Sequence, residues 1–237
     1  MSLTKTYANS DVLAFYKELP FNFQETVQNQ SETLKANNSV LAYPPFAELI
    51  SKDRTILEVG CGAGWLSNSM AYHYGVSVSA IDFNPVAVQR AAAVAQFLDI
   101  DANFAVADLF AYEPDEKADL VVSLGVLHHT DNCHAAIAKV LNDFVADGGY
   151  VFLGLYHTHG RRPFLAHFDS MRADGASEDD MFERYRQLMP QATDTTHARS
   201  WFRDQVLHPH ETQHTLVEIV PLLDEHRFEL LSTSINR

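Results

Sequence analysis

Leu57-Glu58-Val59-Gly60-Cys61-Gly62-Ala63-Gly64-Trp65-Leu66 joins a short apolar run to three glycines at alternate positions and then to a bulky apolar pair. An apolar run of this length followed by such a turn reads as a buried strand passing into a helix. Glycines at the turn remove Cβ atoms where a ligand must approach the backbone, and the N–H groups at the helix start are left free to meet it. In a dinucleotide-binding G-x-G-x-x-G turn the third glycine would fall at position 65, which holds Trp65, so the spacing here is G-x-G-x-G. Asp82 lies 22 residues beyond Gly60, at the end of the next apolar run, where a carboxylate can accept both hydroxyls of a ribose.

Outward from this turn, short apolar runs alternate with helix-like segments, the pattern of repeated βαβ units around a parallel sheet. Strands are predicted at 55–59, 76–81, 103–107, 120–124 and 150–155. Asn84-Pro85 supplies an N-cap side chain and a proline at the first helical position, opening a helix to about Leu98. Ile137, Val140, Leu141 and Phe144 recur at helical spacing before Asp147-Gly148-Gly149 stops that helix. The fold class is therefore α/β: a Rossmann-like, doubly wound, mostly parallel sheet with helices on both faces, occupying 51–156. Residues 1–50 are expected to form an N-terminal helical extension. Residues 157–213 are looser and polar, with one helix expected at 177–189, and read as an inserted lid. Thr215 and Glu218 are spaced as a capping box, so 214–237 should supply a helix bent at Pro221 and a last strand at 228–235.

Composition sets the outer bounds. With 237 residues, 46% of them hydrophobic and 15 of them Phe, the chain can bury a sizeable core. Seventeen basic residues against 31 acidic ones leave a charge of -14, which disfavours a phosphate backbone as partner. No apolar run is long enough for a membrane span and the start carries no secretory pattern, so the expected setting is cytoplasmic. Two cysteines, Cys61 and Cys133, are too few for a disulfide framework and are expected to be reduced. Nothing in the sequence points to one oligomeric state.

Four segments in order resemble class I S-adenosylmethionine-dependent methyltransferases. They are the turn from Leu57 to Gly64, then Ala80-Ile81-Asp82-Phe83-Asn84-Pro85, then Ala107-Asp108-Leu109-Phe110, then Leu120-Val121-Val122-Ser123-Leu124-Gly125-Val126-Leu127-His128-His129. The resemblance covers about 54–156. It implies S-adenosylmethionine as cofactor, S-adenosylhomocysteine as product, and methyl transfer to a small molecule. By position it further implies that Gly60, Cys61, Gly62 and Gly64 lie along the methionine part, with Glu58 at the base of the loop. Asp82 would hold the ribose, Asp108 the adenine amino group between Phe83 and Leu109, and Leu124-Gly125 would face the amino end. Outside the core, Trp201-Phe202-Arg203-Asp204-Gln205, His208-Pro209-His210-Glu211 and Gly154-Leu155-Tyr156 are similar to a bacterial small-molecule branch of that family. The family's sheet usually closes with two C-terminal strands, of which one is evident here.

Methyl transfer from a sulfonium is an in-line displacement, so the protein chiefly aligns acceptor and methyl in a dry pocket. A base is needed only when the acceptor must lose a proton. His128 and His129 follow the fourth strand at its carboxyl end and are the candidates, His129 foremost; a loop histidine that merely packs is the commoner use of such a residue. His208, His210, Glu211 and His214 could bind zinc or iron, but Pro209 breaks the helical spacing, and no metal is expected. A substrate-facing wall containing His208 and Glu211 is one alternative for this stretch, and a structural role is another. Tyr16, Asn22, Tyr156 and His157 are candidates for closing over the acceptor, with Phe21 beside them. Arg161-Arg162 could recognise an anionic acceptor, although an exposed charge pair is the ordinary explanation. Two other functions fit the same cofactor pocket: a regulatory protein that binds the cofactor without using it, and a tRNA or protein methyltransferase that works with a partner.

Overall fold

The apolar run at Ile56–Val59 forms β1, buried at every position because helices cover both faces of the sheet. The computed structural model describes residues 10–190 and 194–234. Before β1 come helices α1 (Ser10–Glu18) and α2 (Val27–Ala36), a 3-10 turn at Ser39–Ala42 and the short α3 (Pro44–Ala47). After it run α4 (Trp65–Tyr74), β2 (Val78–Asp82), α5 (Pro85–Leu98), β3 (Ala102–Val106), β4 (Ala118–Leu124), α6 (Cys133–Lys139) and β5 (Val145–Gly154). The chain continues with α7 (Thr158–Ala173), α8 (Glu178–Leu188), α9 (Thr195–Val206) and α10 (Leu216–Glu225).

The sheet order is β3-β2-β1-β4-β5, and every pairing is parallel. The chain winds outward from β1 through β2 to β3 and then crosses back to β4, so β1 and β4 flank the switch point where open α/β sheets bind ligands. Side-chain alternation divides the core. Leu57, Val59 and Val121 pack with Ile137, Val140, Phe144, Ile219 and Leu223 on one face, while Ile56, Leu120 and Val122 pack with Val40, Phe46, Met70 and Ala71 on the other.

Asn84 Oδ1 accepts from Val86 N at 3.1 Å, the N-cap that the Asn-Pro pair predicts. The capping box at Thr215 and Glu218 is formed, and α10 runs on through Pro221 as one helix. The helix expected before Asp147 instead ends at Lys139 and widens into a π-turn over Val140–Phe144.

Two expectations are overturned. The stretch 157–213 holds three helices rather than one, packed around Phe168, Met181, Phe182, Tyr185, Ala198 and Phe202. Gly160 and Pro163 near the start of α7 look like breakers, yet burial of Phe168 between α8 and α9 outweighs their propensity cost. The strand expected at 228–235 does not form over 228–234, and Ile235 lies outside the described residues. Adjacent Leu230 and Leu231 break the two-residue alternation a half-buried strand needs, and both are exposed. That segment shares a groove of about 870 Å³ with β5. Among the described residues the sheet therefore ends at β5, with no C-terminal hairpin.

Candidate active site

The glycine turn is held in the left-handed region, with φ of 76°, 51° and 76° at Gly60, Gly62 and Gly64. Each glycine has its own reason. A Cβ on Gly60 would stand 2.3 Å from Val126 Cγ2, and one on Gly64 would stand 2.6 Å from Ala91 Cβ, so these two permit close packing of the turn. A Cβ on Gly62 would meet nothing within 4 Å and would project into open space. The backbone N–H groups of Gly60 and Cys61 both donate to the Ile81 carbonyl, at 2.8 and 3.1 Å, which ties the turn to the end of β2.

Asp82 completes that tie. Its Oδ2 accepts from Gly62 N and its Oδ1 from Asn84 N, both at 2.8 Å. Burial raises its carboxyl above the usual range, opposed by these two donors. Each carboxylate oxygen accepts one of them and has a second lone pair. Glu58, beneath the turn, accepts from Ser67 Oγ, and burial pushes it up to about 7.

A cavity of about 310 Å³ opens over the carboxyl ends of β1, β2 and β4. It is lined by Glu58, Gly60, Cys61, Gly62, Asp82, Phe83, Asp108, Leu109, Leu124 and Gly125, all but one of the residues expected to hold a cofactor. Gly64 is the exception, turned toward Ala91 and Asn68. Asp108 Oδ1 accepts from Phe110 N at 2.8 Å, which fixes the carboxylate at the end of β3.

The opposite wall comes from the N-terminal extension and α9. Tyr16, Phe21 and Asn22 line it, and so does Asp204, to which the sequence, in the stretch Trp201-Phe202-Arg203-Asp204-Gln205, assigns no role of its own. Tyr16 donates to Asp204 Oδ1 at 2.5 Å, and Gln205 Nε2 donates to Oδ2 at 2.8 Å. The extension is fastened to the glycine turn: Gln30 Nε2 donates to the Ala63 carbonyl at 2.8 Å and Trp65 Nε1 to the Asn22 carbonyl at 2.8 Å. Asn22 Oδ1 also accepts from Trp201 Nε1 at 2.9 Å, joining α9 to the same corner.

The two neighbouring histidines divide. His129 and Tyr156 line the cavity, whereas His128 does not and is fully buried, with no hydrogen-bond partner on either ring nitrogen among the described residues. Burial lowers His128 to about 2, so it is a neutral packing residue. His129 Nδ1 lies 2.8 Å from the His210 carbonyl. A carbonyl can only accept, so Nδ1 carries the proton and Nε2 carries the lone pair. Burial lowers the His129 pKa, opposed by the carboxylate of Asp204, and the ring stays neutral and basic near neutral pH.

Three other expectations are corrected. Glu211 does not reach the cavity: its carboxylate takes a two-pronged ion pair from Arg161, with Nη2 to Oε2 at 2.7 Å and Nε to Oε1 at 2.9 Å. Arg161 itself is 7% exposed, donates to the Gln205 side chain and carbonyl, and lies over the Tyr156 ring, so it is a buried clamp rather than a surface charge. His157 bridges to His214 away from the cavity. His208 is not among the residues lining the cavity, but it stacks on His129, which is, with ring centroids 3.7 Å apart. The stretch from His208 to His214 therefore does not converge as a ligand set. Among the described residues the group that does converge is His129, Asp204 and His208, with one donor atom from each within 4.8 Å of the others.

A parallel sheet with a glycine turn and strand-end carboxylates around one cavity at its switch point defines a Rossmann-like α/β protein built to bind a nucleoside-containing cofactor. The chain belongs to the methyltransferase-domain family, which matches residues 23–208. A ubiquinone biosynthesis O-methyltransferase of Pseudomonas paraeruginosa is 35% identical over 102 residues, 42% of this chain and 43% of that protein. A 2-methyl-6-phytyl-1,4-hydroquinone methyltransferase of Synechocystis is 34% identical over 115 residues, 48% of this chain and 36% of that protein. These matches span less than half the length of the curated relatives. In fold, the chain resembles the magnesium protoporphyrin IX methyltransferase of Synechocystis, crystallised with bound SAH. The TM-score is 0.56 at 18% identity, over 96% of this chain and 89% of that one. No described helix is long and apolar enough to cross a membrane.

Proposed function

We propose that the chain binds S-adenosylmethionine and transfers its methyl group to a hydroxyl oxygen of a small, largely apolar acceptor, with His129 as general base. The observation that carries this reading is the shared cavity: Gly62, Asp82 and Asp108 line one side and His129 and Asp204 the other. Asp82 would accept from the ribose hydroxyls, Asp108 would accept from the adenine amino group, and Gly62 leaves room for the methionine part. Phe21, Trp65, Val126 and Phe110 give the cavity apolar walls suited to an apolar acceptor. The similarity to an O-methyltransferase of ubiquinone biosynthesis supports oxygen as the acceptor atom.

When bound, S-adenosylmethionine would supply an electrophilic methyl group, the electron pair of its bond to sulfur staying on sulfur as a lone pair of the acceptor oxygen bonds to carbon. The hydroxyl proton passes to His129 Nε2, and the buried carboxylate of Asp204 stabilises the imidazolium that results. Exclusion of water by the N-terminal extension and α9 keeps the pair aligned.

Calorimetry with S-adenosylhomocysteine tests the cofactor, and labelled S-adenosylmethionine with pools of hydroxylated metabolites tests the transfer. Asp82→Ala is expected to abolish binding. His129→Gln is expected to bind cofactor normally and to slow transfer by about 10²- to 10⁴-fold, the ordinary worth of a general base. Binding of nicotinamide cofactors in place of the sulfonium would refute the reading, and binding without transfer to any pool would favour a regulatory role.

A further inference from the structure

The His210 backbone fixes the protons of two stacked rings in opposite senses. Its carbonyl takes His129 Nδ1–H at 2.8 Å, while its own N–H donates to His208 Nδ1 at 3.1 Å. A neutral imidazole whose Nδ1 accepts a hydrogen bond carries its proton on Nε2. His129 therefore has a lone pair at Nε2 and His208 has an N–H there, and both atoms are buried without a partner among the described residues. Asp204 is 4% exposed, and one of its carboxylate oxygens, one ring nitrogen of His129 and one of His208 all lie within 4.8 Å of one another. Burial lowers His208 to about 3, with the neighbouring His129 adding to the shift, so its ring is neutral as this assignment requires. A buried donor on His208 beside a buried acceptor on His129 calls for one guest atom that both accepts and donates, and the Asp204 carboxylate, which already accepts from Tyr16 and Gln205, keeps a second lone pair on each oxygen for it.

The geometry points to a subsite for a single oxygen atom between His129, Asp204 and His208, in which the His208 Nε2–H is the donor that selects a hydroxyl as methyl acceptor. A water satisfies all three groups, accepting from His208 and donating to His129 and Asp204. A substrate hydroxyl replaces it by accepting from His208 and donating to His129. Oxygen has two lone pairs, so one can take the His208 proton while the other attacks the methyl group. A neutral amine has one lone pair and cannot do both, and an ammonium has none. A divalent metal fits less well, because a metal on His208 Nε2 would put the ring proton on Nδ1, facing the His210 N–H. The acceptor chemistry in this inference rests on the methyl-transfer reading, whereas the tautomers and the resident oxygen do not.

Histidine-selective ¹⁵N NMR of the full chain without cofactor tests the tautomers: His129 should be the Nδ1–H form and His208 the Nε2–H form. Crystals of the same protein should show a peak about 2.7–3.1 Å from the three groups, the range of ordinary hydrogen bonds. Soaking with phenol should place its hydroxyl on that peak, while aniline should leave the water undisturbed. His208→Phe should keep the ring stack and the His129 tautomer and lose the oxygen. Matching tautomers on the two rings, an empty gap, equal seating of aniline, or an anomalous scatterer about 2.0–2.2 Å from the ligand atoms, as for zinc, would each overturn the inference. Should His208→Phe fail to fold, the wild-type tautomers and density decide. Calorimetry with S-adenosylhomocysteine is read separately: its failure removes the methyl-transfer reading and leaves the tautomer result standing.

Discussion

Alanine at Gly60 and alanine at Gly62 should fail in different ways, although the two sites are two residues apart and share a left-handed backbone. Holding a non-glycine residue in that region costs about 1–2 kcal/mol at either site. At Gly60 the new Cβ would also meet Val126 Cγ2 at 2.3 Å, Cγ1 at 2.5 Å and Cβ at 2.9 Å, contacts closer than real Cβ atoms show. Overpacking of a dense core adds about 1–3 kcal/mol, so Gly60→Ala should lose roughly 2–5 kcal/mol. For a domain of this size each kcal/mol is about 2–4 °C, which places the fall in melting temperature at roughly 4–20 °C. At Gly62 nothing lies within 4 Å, so the loss should be limited to the backbone cost, roughly 2–8 °C. That Cβ projects where the cofactor is to lie, and S-adenosylhomocysteine should bind at least about tenfold more weakly, a difference of ~1.4 kcal/mol. Calorimetric melting and titration of both variants read the two quantities. Adding Val126→Ala to Gly60→Ala should recover part of the loss, since it removes the two Cγ contacts and leaves the one at 2.9 Å. A Gly60→Ala protein that melts like wild type, or a Gly62→Ala protein that binds like wild type, would refute the division of roles.

Asp82→Asn keeps the shape of the strand end but removes the charge that holds Gly62 N and Asn84 N. A hydrogen bond to a charged group is worth about 1.5–3 kcal/mol, so cofactor affinity measured by titration should fall roughly 10- to 150-fold. Glu211→Ala leaves the Arg161 guanidinium buried without its carboxylate, which costs about 3–5 kcal/mol; the melting temperature should fall roughly 6–20 °C with the cofactor dissociation constant unchanged. His128 is neutral when folded, with a pKa of about 2, but takes a proton below about 6.5 when unfolded. Its contribution is therefore present above pH 6.5 and is lost as pH falls, by about 2 kcal/mol between pH 8 and 5. Urea unfolding at those two pH values should show His128→Phe losing that much less stability than wild type.

The local signals that survive folding are those whose cause is local. The Asn84-Pro85 cap, the capping box at Thr215 and Glu218, the five strands and the glycine turn all rest on a few adjacent residues and an apolar period, and each forms near its expected place. The helices α7 and α9 were not legible because Gly160, Pro163 and a polar surface hide their periodicity, which burial against one another restores. Apolar content alone suggests a last strand, but adjacent Leu230 and Leu231 cannot share one face of a strand.

The candidate site divides in the same way. Glycines at 60 and 62 and carboxylates at 82 and 108 follow from the sequence, because a parallel sheet brings successive strand ends to one edge whatever lies elsewhere. Asp204 gave only a faint signal, an acidic residue between the buried Phe202 and Val206 of α9. Its meeting with Tyr16 and His129 depends on how an N-terminal helix and a C-terminal helix dock over the cavity. Spacing alone grouped His208, His210, Glu211 and His214, but the fold directs Glu211 to Arg161 and His208 to His129. Neighbours along a chain share a site only when the backbone turns them the same way. Which imidazole holds a lone pair and which a proton is decided by tertiary structure, because the backbone of His210 reaches both rings only in the folded chain.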